Sequence, residues 1–218
     1  MKLYIDSANI AVVESLLQTG VFYGVTTNPL ILREAGVRWN KLSDFAEYAL
    51  GLGAQEVFFQ SWGEEAATLC RHGEQLARLS SQVVVKLPVT RAGLEAAAKL
   101  AKAGIKTCLT AVYAPFQALL AAAAGAAYVA PYLGRMNDAG RDGHALIAQM
   151  AAALQKTAGL TEILAASVRS PEDVTSLAQN GVRNITLSPA VAEKLFLEPL
   201  TLEAVKAFEA AAQELQNE

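Results

Sequence analysis

The sequence predicts an α/β protein, a single (β/α)8 barrel with an additional C-terminal helix. Short β-rich apolar runs alternate with longer alanine- and leucine-rich stretches of helical period along the chain, a pattern typical of parallel strands joined by crossover helices. Eight such units follow one another without a linker, and an open doubly wound sheet normally uses fewer strands. Because 218 residues that are 53% hydrophobic can bury one large core, residues 1–218 are expected to form one domain.

The strands are predicted from apolar runs that are rich in β-branched and aromatic residues. They cover residues 2–6, 23–26, 56–60, 83–86, 106–109, 128–131, 162–165 and 184–187. Between them, Ser170-Pro171-Glu172-Asp173 offers an N-cap serine, a proline at the first helical position and acids in the first turn of a helix. Gly104 and Gly181 mark the C-terminal ends of helices.

The last helix is predicted from about residue 201 to 216 and has an apolar face. That face consists of Leu202, Val205, Phe208, Ala212 and Leu215. It either covers its own barrel or docks on a neighbouring subunit.

Composition and charge narrow the possible functions. The net charge is −3 and the arginines are scattered singly, so nucleic acid is not an expected partner. No segment approaches the ~20 apolar residues of a membrane span, and Asp6 precedes any apolar stretch of signal-peptide length, so we expect a cytoplasmic protein. Two cysteines and two histidines without ligand spacing argue against a protein-held metal.

Polar residues stand where the predicted strands end. In this kind of barrel the active site is assembled at the carboxyl ends of the strands, so these side chains are expected to converge on one rim. They are Asp6, Thr26-Thr27-Asn28, Gln60, Lys86, Thr110, Tyr132, Ser167 and Ser188.

Lys86 and Asp6 are the sharpest candidates on this rim. Lys86 ends an apolar run, where the lost hydration favours the neutral amine, and a neutral amine can attack a carbonyl carbon. The alternative is that the side chain of Lys86 extends along the apolar surface and places its charged amine in solvent, as a lysine at a strand end more often does. Asp6 is suited to accept a proton from a substrate hydroxyl, or it is an N-cap or loop acid.

Substrate ligands are predicted at two further places. Thr26 and Asn28 provide hydrogen-bonding groups before a helix that Pro29 can open, although turn chemistry explains much of that segment. Arg135 and Arg169 follow adjacent strands, and the helix that begins near Ser170 is expected to point free N–H groups toward the same rim. Together they predict a phosphate site, with solvated arginines as the alternative.

These motifs resemble the small-subunit transaldolases and their relatives, the fructose-6-phosphate aldolases, over nearly the whole chain. The residues that carry the resemblance are 3–6, 24–29, 84–90, 110–113, 128–132 with Arg135, and 164–167. The resemblance implies that Lys86 forms a Schiff base, that Asp6 transfers a proton and that Asn28 binds a hydroxyl of a dihydroxyacetone unit.

The resemblance also implies the remaining ligands and partners. Ser167, Arg135 and Arg169 hold a sugar phosphate. No metal or cofactor is required, because the protonated imine is the electron sink. Small aldehydes and ketones are further substrates, and the family commonly forms pentamers paired into decamers.

Two positions favour an aldolase over a transaldolase. Transaldolases usually have glutamate where this chain has Gln60 and phenylalanine where it has Tyr132. In the aldolase, Gln60, Thr110 and Tyr132 position a water that protonates the enamine. We therefore expect fructose 6-phosphate to be cleaved to free dihydroxyacetone and glyceraldehyde 3-phosphate.

Other positions keep two alternatives open. Arg169 follows the transaldolase pattern, in which the unit passes to erythrose 4-phosphate, and Cys108 replaces an asparagine that transaldolases often have. Gln60-Ser61-Trp62-Gly63 departs from both patterns after the glutamine. Trp62 either reshapes the acceptor pocket or packs beneath a loop. A barrel that binds a sugar phosphate without chemistry is the third hypothesis.

Overall fold

The computed structural model describes residues 1–157 and 159–216, and it contains a closed barrel of eight parallel strands in sequence order. The strands are β1 Lys2–Asp6, β2 Phe22–Thr26, β3 Glu56–Gln60, β4 Val83–Pro88, β5 Thr107–Val112, β6 Tyr128–Pro131, β7 Glu162–Val168 and β8 Asn184–Leu187. The barrel closes between β1 and β8, where Lys2 pairs with Asn184. The predicted (β/α)8 fold is confirmed.

Strands β4, β5 and β7 run further at their carboxyl ends than predicted. In β5 and β7 the pairing register shifts between Leu109 and Val112 and between Ala165 and Val168. Ala111 and Ser167 lie at these shifts with left-handed φ values of 60° and 57°. Because a bulge interrupts the two-residue alternation, the sequence pattern stops where the bulge begins.

The helices surround the barrel. They are α1 Ile10–Leu17, α2 Pro29–Glu34, a 3-10 turn at Trp39–Lys41, α3 Leu42–Gly51, α4 Ala66–Ala77, α5 Arg91–Lys102, α6 Pro115–Ala123, α7 Leu133–Asp138, α8 Gly143–Leu154, α9 Pro171–Gln179, α10 Pro189–Lys194 and α11 Pro199–Gln216. Ser170 caps α9 as predicted, since its Oγ accepts from the N–H of Asp173 at 3.2 Å. Gly104 and Gly181 follow α5 and α9 with positive φ, which confirms both as helix ends.

The amino end of the barrel is filled by a buried polar cluster. Glu56 is 3% exposed and accepts from the hydroxyls of Tyr4 at 3.0 Å and Tyr128 at 2.9 Å and from Lys106 Nζ at 3.0 Å. Burial, together with the adjacent carboxylate of Glu56, raises the pKa of both phenols, so both remain donors. The interior is therefore packed at this end, and the polar mouth lies at the opposite one.

Helix α11 does not cover its own barrel. None of its residues is buried, and Phe208 and Leu215 are 71% and 75% exposed. The alternative in which this apolar face covers its own barrel is therefore wrong, and docking on a neighbouring subunit stays a prediction. Across the described ranges, no helix combines the length and apolarity that a membrane crossing requires.

Candidate active site

Barrel closure brings the predicted rim residues together at the carboxyl ends of the strands. Asp6 on β1 is in register with Thr26 on β2, and Gln60 on β3 is in register with Lys86 on β4. Thr110 lies on the next strand, β5. Lys86 is therefore flanked by Gln60 on β3 and by Cys108 on β5, and Thr110 lies two residues further along β5, opposite Pro88.

The amine of Lys86 is held inside the mouth. The residue is 6% exposed, and its Nζ donates a hydrogen bond to the carbonyl oxygen of Thr27 at 2.8 Å. Thr27 is itself fixed, because its hydroxyl donates to the carbonyl oxygen of Phe58 at 2.7 Å. The alternative in which Lys86 reaches into solvent is therefore wrong. The amine can meet a carbonyl group only within the barrel mouth.

Asp6 lies close enough to Lys86 for the two charges to interact. Its Oδ1 accepts a hydrogen bond from Thr26 Oγ1 at 2.8 Å, and Thr26 contacts the hydroxyl of Thr186 at 2.5 Å. Burial raises the pKa of Asp6, while Lys86, Thr26 and Arg135 oppose that rise. A carboxyl group with a raised pKa beside an amine is suited to taking and returning a proton.

Asp6 does not cap a helix. The N-cap of α1 is Asn9, whose Oδ1 accepts from the N–H of Val12 at 3.3 Å. The role of N-cap that the sequence left open for Asp6 is therefore filled by another residue.

Thr110 on β5 and Tyr132, directly after β6, form a hydroxyl pair. Their oxygens are 2.7 Å apart, and either group can be the donor. The ring of Tyr132 packs edge-on against Tyr113 at 5.7 Å, and the guanidinium of Arg135 lies 5.0 Å from its centre. These contacts hold the phenol hydroxyl at a defined position in the mouth.

Asn28 lies at the rim and is also the N-cap residue of α2. Its side-chain oxygen accepts from the N–H groups of Leu30 at 2.9 Å and Ile31 at 3.1 Å, and Pro29 opens α2. The turn chemistry predicted for this segment is confirmed. Its amide N–H groups take no part in that cap, so they are the atoms that can bind a substrate hydroxyl.

The predicted phosphate ligands lie on α7 and before α9. Arg169 donates a hydrogen bond to Asp138, and both side chains of this pair are 57% exposed. The N–H of Arg169 donates to Asp173 at 3.0 Å. Because Ser170 and Asp173 already occupy the first turn of α9, that helix end is less open to an anion than the sequence predicted. Of the two arginines, Arg135 on α7 is the one whose charge lowers the pKa of Asp6.

Sequence reasoning missed two residues that shape the mouth. Thr186 bridges to Thr26, and the alternating polar positions of residues 184–187 were an available signal for it. A Cβ atom on Gly134 would lie 2.5 Å from both the carbonyl oxygen of Ser167 and Nε of Arg169. Glycine at position 134 therefore allows α7 to approach β7 closely.

In the part of the chain that the structure describes, the donor groups offer no arrangement for a metal ion. Within residues 1–157 and 159–216, no three His, Cys, Asp or Glu side chains form a group that could hold one. Cys70 and Cys108 are free. Burial raises the pKa of the Cys108 thiol to about 12, which makes it a poor nucleophile and a poor ligand.

Fold and site together define the class of protein: a (β/α)8 barrel whose carboxyl-end mouth holds a buried lysine among carboxyl, hydroxyl and amide groups. The chain belongs to the family described as Transaldolase/Fructose-6-phosphate aldolase, whose sequence pattern matches residues 3–218. It is accordingly an enzyme of the transaldolase and aldolase type.

Similar proteins agree with this membership. A probable transaldolase from Oceanobacillus iheyensis is 38% identical over 209 residues, which cover 95% of this chain and 96% of the relative. Probable transaldolase 1 from Bacillus cereus is 39% identical over 209 residues, which cover 95% of both chains. Mandelate oxidase variants superpose with a TM-score of 0.60 at 17% identity, over 88% of this chain and 65% of theirs, and that likeness concerns the fold alone.

Proposed function

We propose that the protein is a class I aldolase that cleaves and forms fructose 6-phosphate through a Schiff base on Lys86. The observation that carries the proposal is the buried amine of Lys86, which donates to a backbone carbonyl at 2.8 Å in the same mouth as Asp6. A buried amine meets the substrate carbonyl with little competition from bulk water.

The reaction can be followed from the residues of the mouth. The amine of Lys86 attacks C2 of the ketose and water leaves, so that a protonated imine forms. Asp6 takes the proton of the C4 hydroxyl, the C3–C4 bond breaks, and glyceraldehyde 3-phosphate departs. The bond electrons remain as an enamine, which is protonated at C3. Hydrolysis of the resulting imine returns the amine and releases dihydroxyacetone.

The other mouth residues bind and orient the substrate. The amide of Asn28 and the hydroxyl of Thr26 face hydroxyls of the three-carbon unit. Ser167, Arg135 and Arg169 hold the far end of the chain, where two guanidinium groups suit a phosphate. Thr26 also keeps Asp6 in position through their 2.8 Å hydrogen bond.

The hydroxyl pair of Thr110 and Tyr132 favours release of dihydroxyacetone over its transfer. A phenol held at 2.7 Å from Thr110 can deliver a proton to the enamine directly or through a water that Gln60 also binds. Once C3 is protonated, the unit can leave only by hydrolysis.

Transfer of the unit to a second sugar phosphate is the second candidate. It is favoured by Arg169, which follows the transaldolase pattern, and by the relatives in Oceanobacillus iheyensis and Bacillus cereus, which are named probable transaldolases. In this case fructose 6-phosphate turnover depends on erythrose 4-phosphate.

One incubation separates these candidates. Enzyme is mixed with fructose 6-phosphate alone and free dihydroxyacetone is measured. The aldolase releases it steadily, whereas a transaldolase needs the acceptor.

Borohydride reduction with dihydroxyacetone should add one three-carbon unit to Lys86, detected by peptide mass spectrometry, and Lys86→Met is the control. An unmodified Lys86 contradicts the proposal. A barrel that only binds a sugar phosphate would show no turnover in the wild type and unchanged ligand affinity in Lys86→Met.

We also propose that the chain acts as one domain within a homo-oligomer, in which α11 packs on a neighbouring copy. Its exposed apolar side chains include Phe208 and Leu215, and leaving such a face in water is unfavourable. The family resemblance implies rings of five or paired rings. Native mass spectrometry should show the oligomer, Phe208→Glu should dissociate it, and Lys206→Glu on the same helix should leave it intact. A monomeric wild type contradicts this assembly.

A further inference from the structure

A hydrogen-bonded chain links the first turns of α8 and α9 beside the candidate phosphate ligands. His144, the second residue of α8, places Nε2 at 3.0 Å from Oδ1 of Asp173 in α9. The other carboxylate oxygen of Asp173, Oδ2, accepts a hydrogen bond from the backbone N–H of Arg169 at 3.0 Å. One carboxylate group therefore joins the side chain of His144 to the main chain of Arg169.

Both ring nitrogens of His144 have partners. Nδ1 lies 3.2 Å from Oγ of Ser176, which is one helical turn beyond Asp173. With the proton on Nε2, the ring donates to Asp173 and accepts from the hydroxyl of Ser176. The side chains of His144 and Asp173 are 30% and 20% exposed, so their contact is better shielded from water than an ion pair on the open surface. The imidazole is thus oriented for a directed contact with α9.

The same end of α8 is fixed to α7, the helix that carries Arg135. The N–H of Gly143 donates to Oδ1 of Asn137 in α7 at 3.0 Å. A Cβ atom on Gly143 would lie 2.7 Å from that oxygen and 2.9 Å from Cδ1 of Leu133, so α8 begins in close contact with α7. The start of α8 therefore contacts α7 through Gly143 and α9 through His144.

The side chain of Arg169 completes a ring of contacts between these three helices. Its guanidinium donates to Asp138 in α7, and its Nε lies 2.5 Å from where a Cβ atom on Gly134 would stand. Because a guanidinium has five N–H donors, one that pairs with Asp138 keeps donors for a second anion. The positions of Arg135 and Arg169 are therefore coupled by two routes, one across α7 and one through α8.

We propose that His144, acting through Asp173, is a positioning residue that fixes Arg169 relative to Arg135 so that both guanidinium groups meet one phosphate. His144 does not touch the substrate. The inference rests on the proposed sugar-phosphate function and adds to it a residue that lies between α8 and α9.

Removal of the imidazole should act on phosphate binding and leave the chemistry unchanged. Without its donor from α8, the carboxylate of Asp173 is free to turn, and the N–H of Arg169 is no longer held in one direction. Two guanidinium groups then share one phosphate less well, while Lys86 keeps its place in the mouth. A loss of binding that is equal in the ground state and the transition state raises KM and leaves kcat unchanged.

The test compares two acceptors for dihydroxyacetone that differ by one phosphate, glyceraldehyde 3-phosphate and glyceraldehyde. His144→Ala should raise KM for glyceraldehyde 3-phosphate by about tenfold or more, the effect of one hydrogen bond to a charged group. Its kcat should stay within about twofold of wild type. With glyceraldehyde, kcat/KM should also stay within about twofold, which shows in the same sample that the variant is folded.

A conservative variant and a matched control accompany this comparison. His144→Gln keeps an N–H donor near the position of Nε2, so it should return KM for glyceraldehyde 3-phosphate to within about twofold of wild type. Thr175→Ala removes an exposed hydroxyl from the same helix, where Oγ1 bonds the carbonyl oxygen of Pro171 at 3.5 Å, and it should change KM for neither acceptor.

A double-mutant cycle tests the route through Arg169. In Arg169→Ala the side chain on which His144 acts is absent, so adding His144→Ala should raise KM by less than about twofold more. Hydrogen exchange supplies a readout without turnover. The amide of Arg169 should exchange faster in His144→Ala than in wild type, because its acceptor is no longer held.

Three results overturn the inference. They are an unchanged KM for glyceraldehyde 3-phosphate in His144→Ala, an equal loss with both acceptors, and a failure of His144→Gln to restore KM. The last two would mean that His144 only supports the packing of α8 on α9.

Borohydride trapping of dihydroxyacetone on Lys86 distinguishes a failure of this inference from a failure of the proposed function, because dihydroxyacetone carries no phosphate. If trapping succeeds in wild type and in His144→Ala while KM is unchanged, the positioning role alone is wrong. If trapping fails in wild type, the proposed function fails, and the role of His144 is overturned with it.

Discussion

Replacing Tyr132 by phenylalanine removes one hydroxyl from the mouth and keeps the ring. The ring contacts with Tyr113 at 5.7 Å and Arg135 at 5.0 Å do not involve the oxygen, so packing should be retained. The 2.7 Å contact with Thr110 is lost. Since Thr110 is 2% exposed, its hydroxyl loses a partner at a cost of about 1–3 kcal/mol. For a chain of this size each kcal/mol lowers the unfolding midpoint by about 2–4 °C.

The kinetic effect should differ between the two fates of the enamine. Release of dihydroxyacetone requires protonation of C3, and a positioned acid contributes roughly 10²–10⁴-fold to such a step. Transfer to an aldehyde forms a carbon–carbon bond at C3 instead, so it escapes that loss. We expect release to fall by at least about a hundredfold and transfer by less than about tenfold.

The assay follows both products from fructose 6-phosphate. Free dihydroxyacetone is measured without acceptor, and the new sugar phosphate is measured with erythrose 4-phosphate. Tyr113→Phe removes a hydroxyl from the ring that packs against Tyr132 and should leave both rates near wild type. Equal losses of release and transfer in Tyr132→Phe would refute the protonation role, because a misplaced substrate slows both.

Three further outcomes follow from the structure. Burial raises the pKa of Asp6 above its ordinary 3.8, so the folded protein loses stability as pH rises through that pKa and the carboxyl group ionises. Asp6→Asn removes this cost, so it should raise the calorimetric unfolding midpoint at about pH 8 but not at about pH 4. The same variant should abolish turnover. Glu56→Leu leaves buried donors without an acceptor and should cost about 3–5 kcal/mol in urea unfolding. Gly134→Ala places a methyl against the Ser167 carbonyl, and we expect a loss of about 1–3 kcal/mol and a higher KM for fructose 6-phosphate.

The eightfold repeat was visible in the sequence because each strand and helix has its own local period. Strands β1, β3, β6 and β8 begin and end at the predicted residues. Asp6 and Lys86 could be singled out because a parallel barrel gathers its strand ends at one rim. The strand bounds and the choice of these two residues therefore required only the order of residues along the chain.

Contacts between distant segments could not be predicted in the same way. The carbonyl of Thr27 that holds Lys86 and the hydroxyl of Thr186 that supports Thr26 depend on the register in which the barrel closes. The bulges that turn Ala111 and Ser167 to positive φ break the alternation on which strand prediction relies.

The tertiary structure also decided how single residues are used. Arg169 was predicted as a phosphate ligand, and the fold pairs it with Asp138 on α7. Trp39 and Trp62 are 23 residues apart in the sequence, and in the fold their rings pack edge to face. Local periodicity is set by the backbone geometry of each segment, whereas these neighbours exist only after β1 has paired with β8 and the helices have packed around the closed sheet.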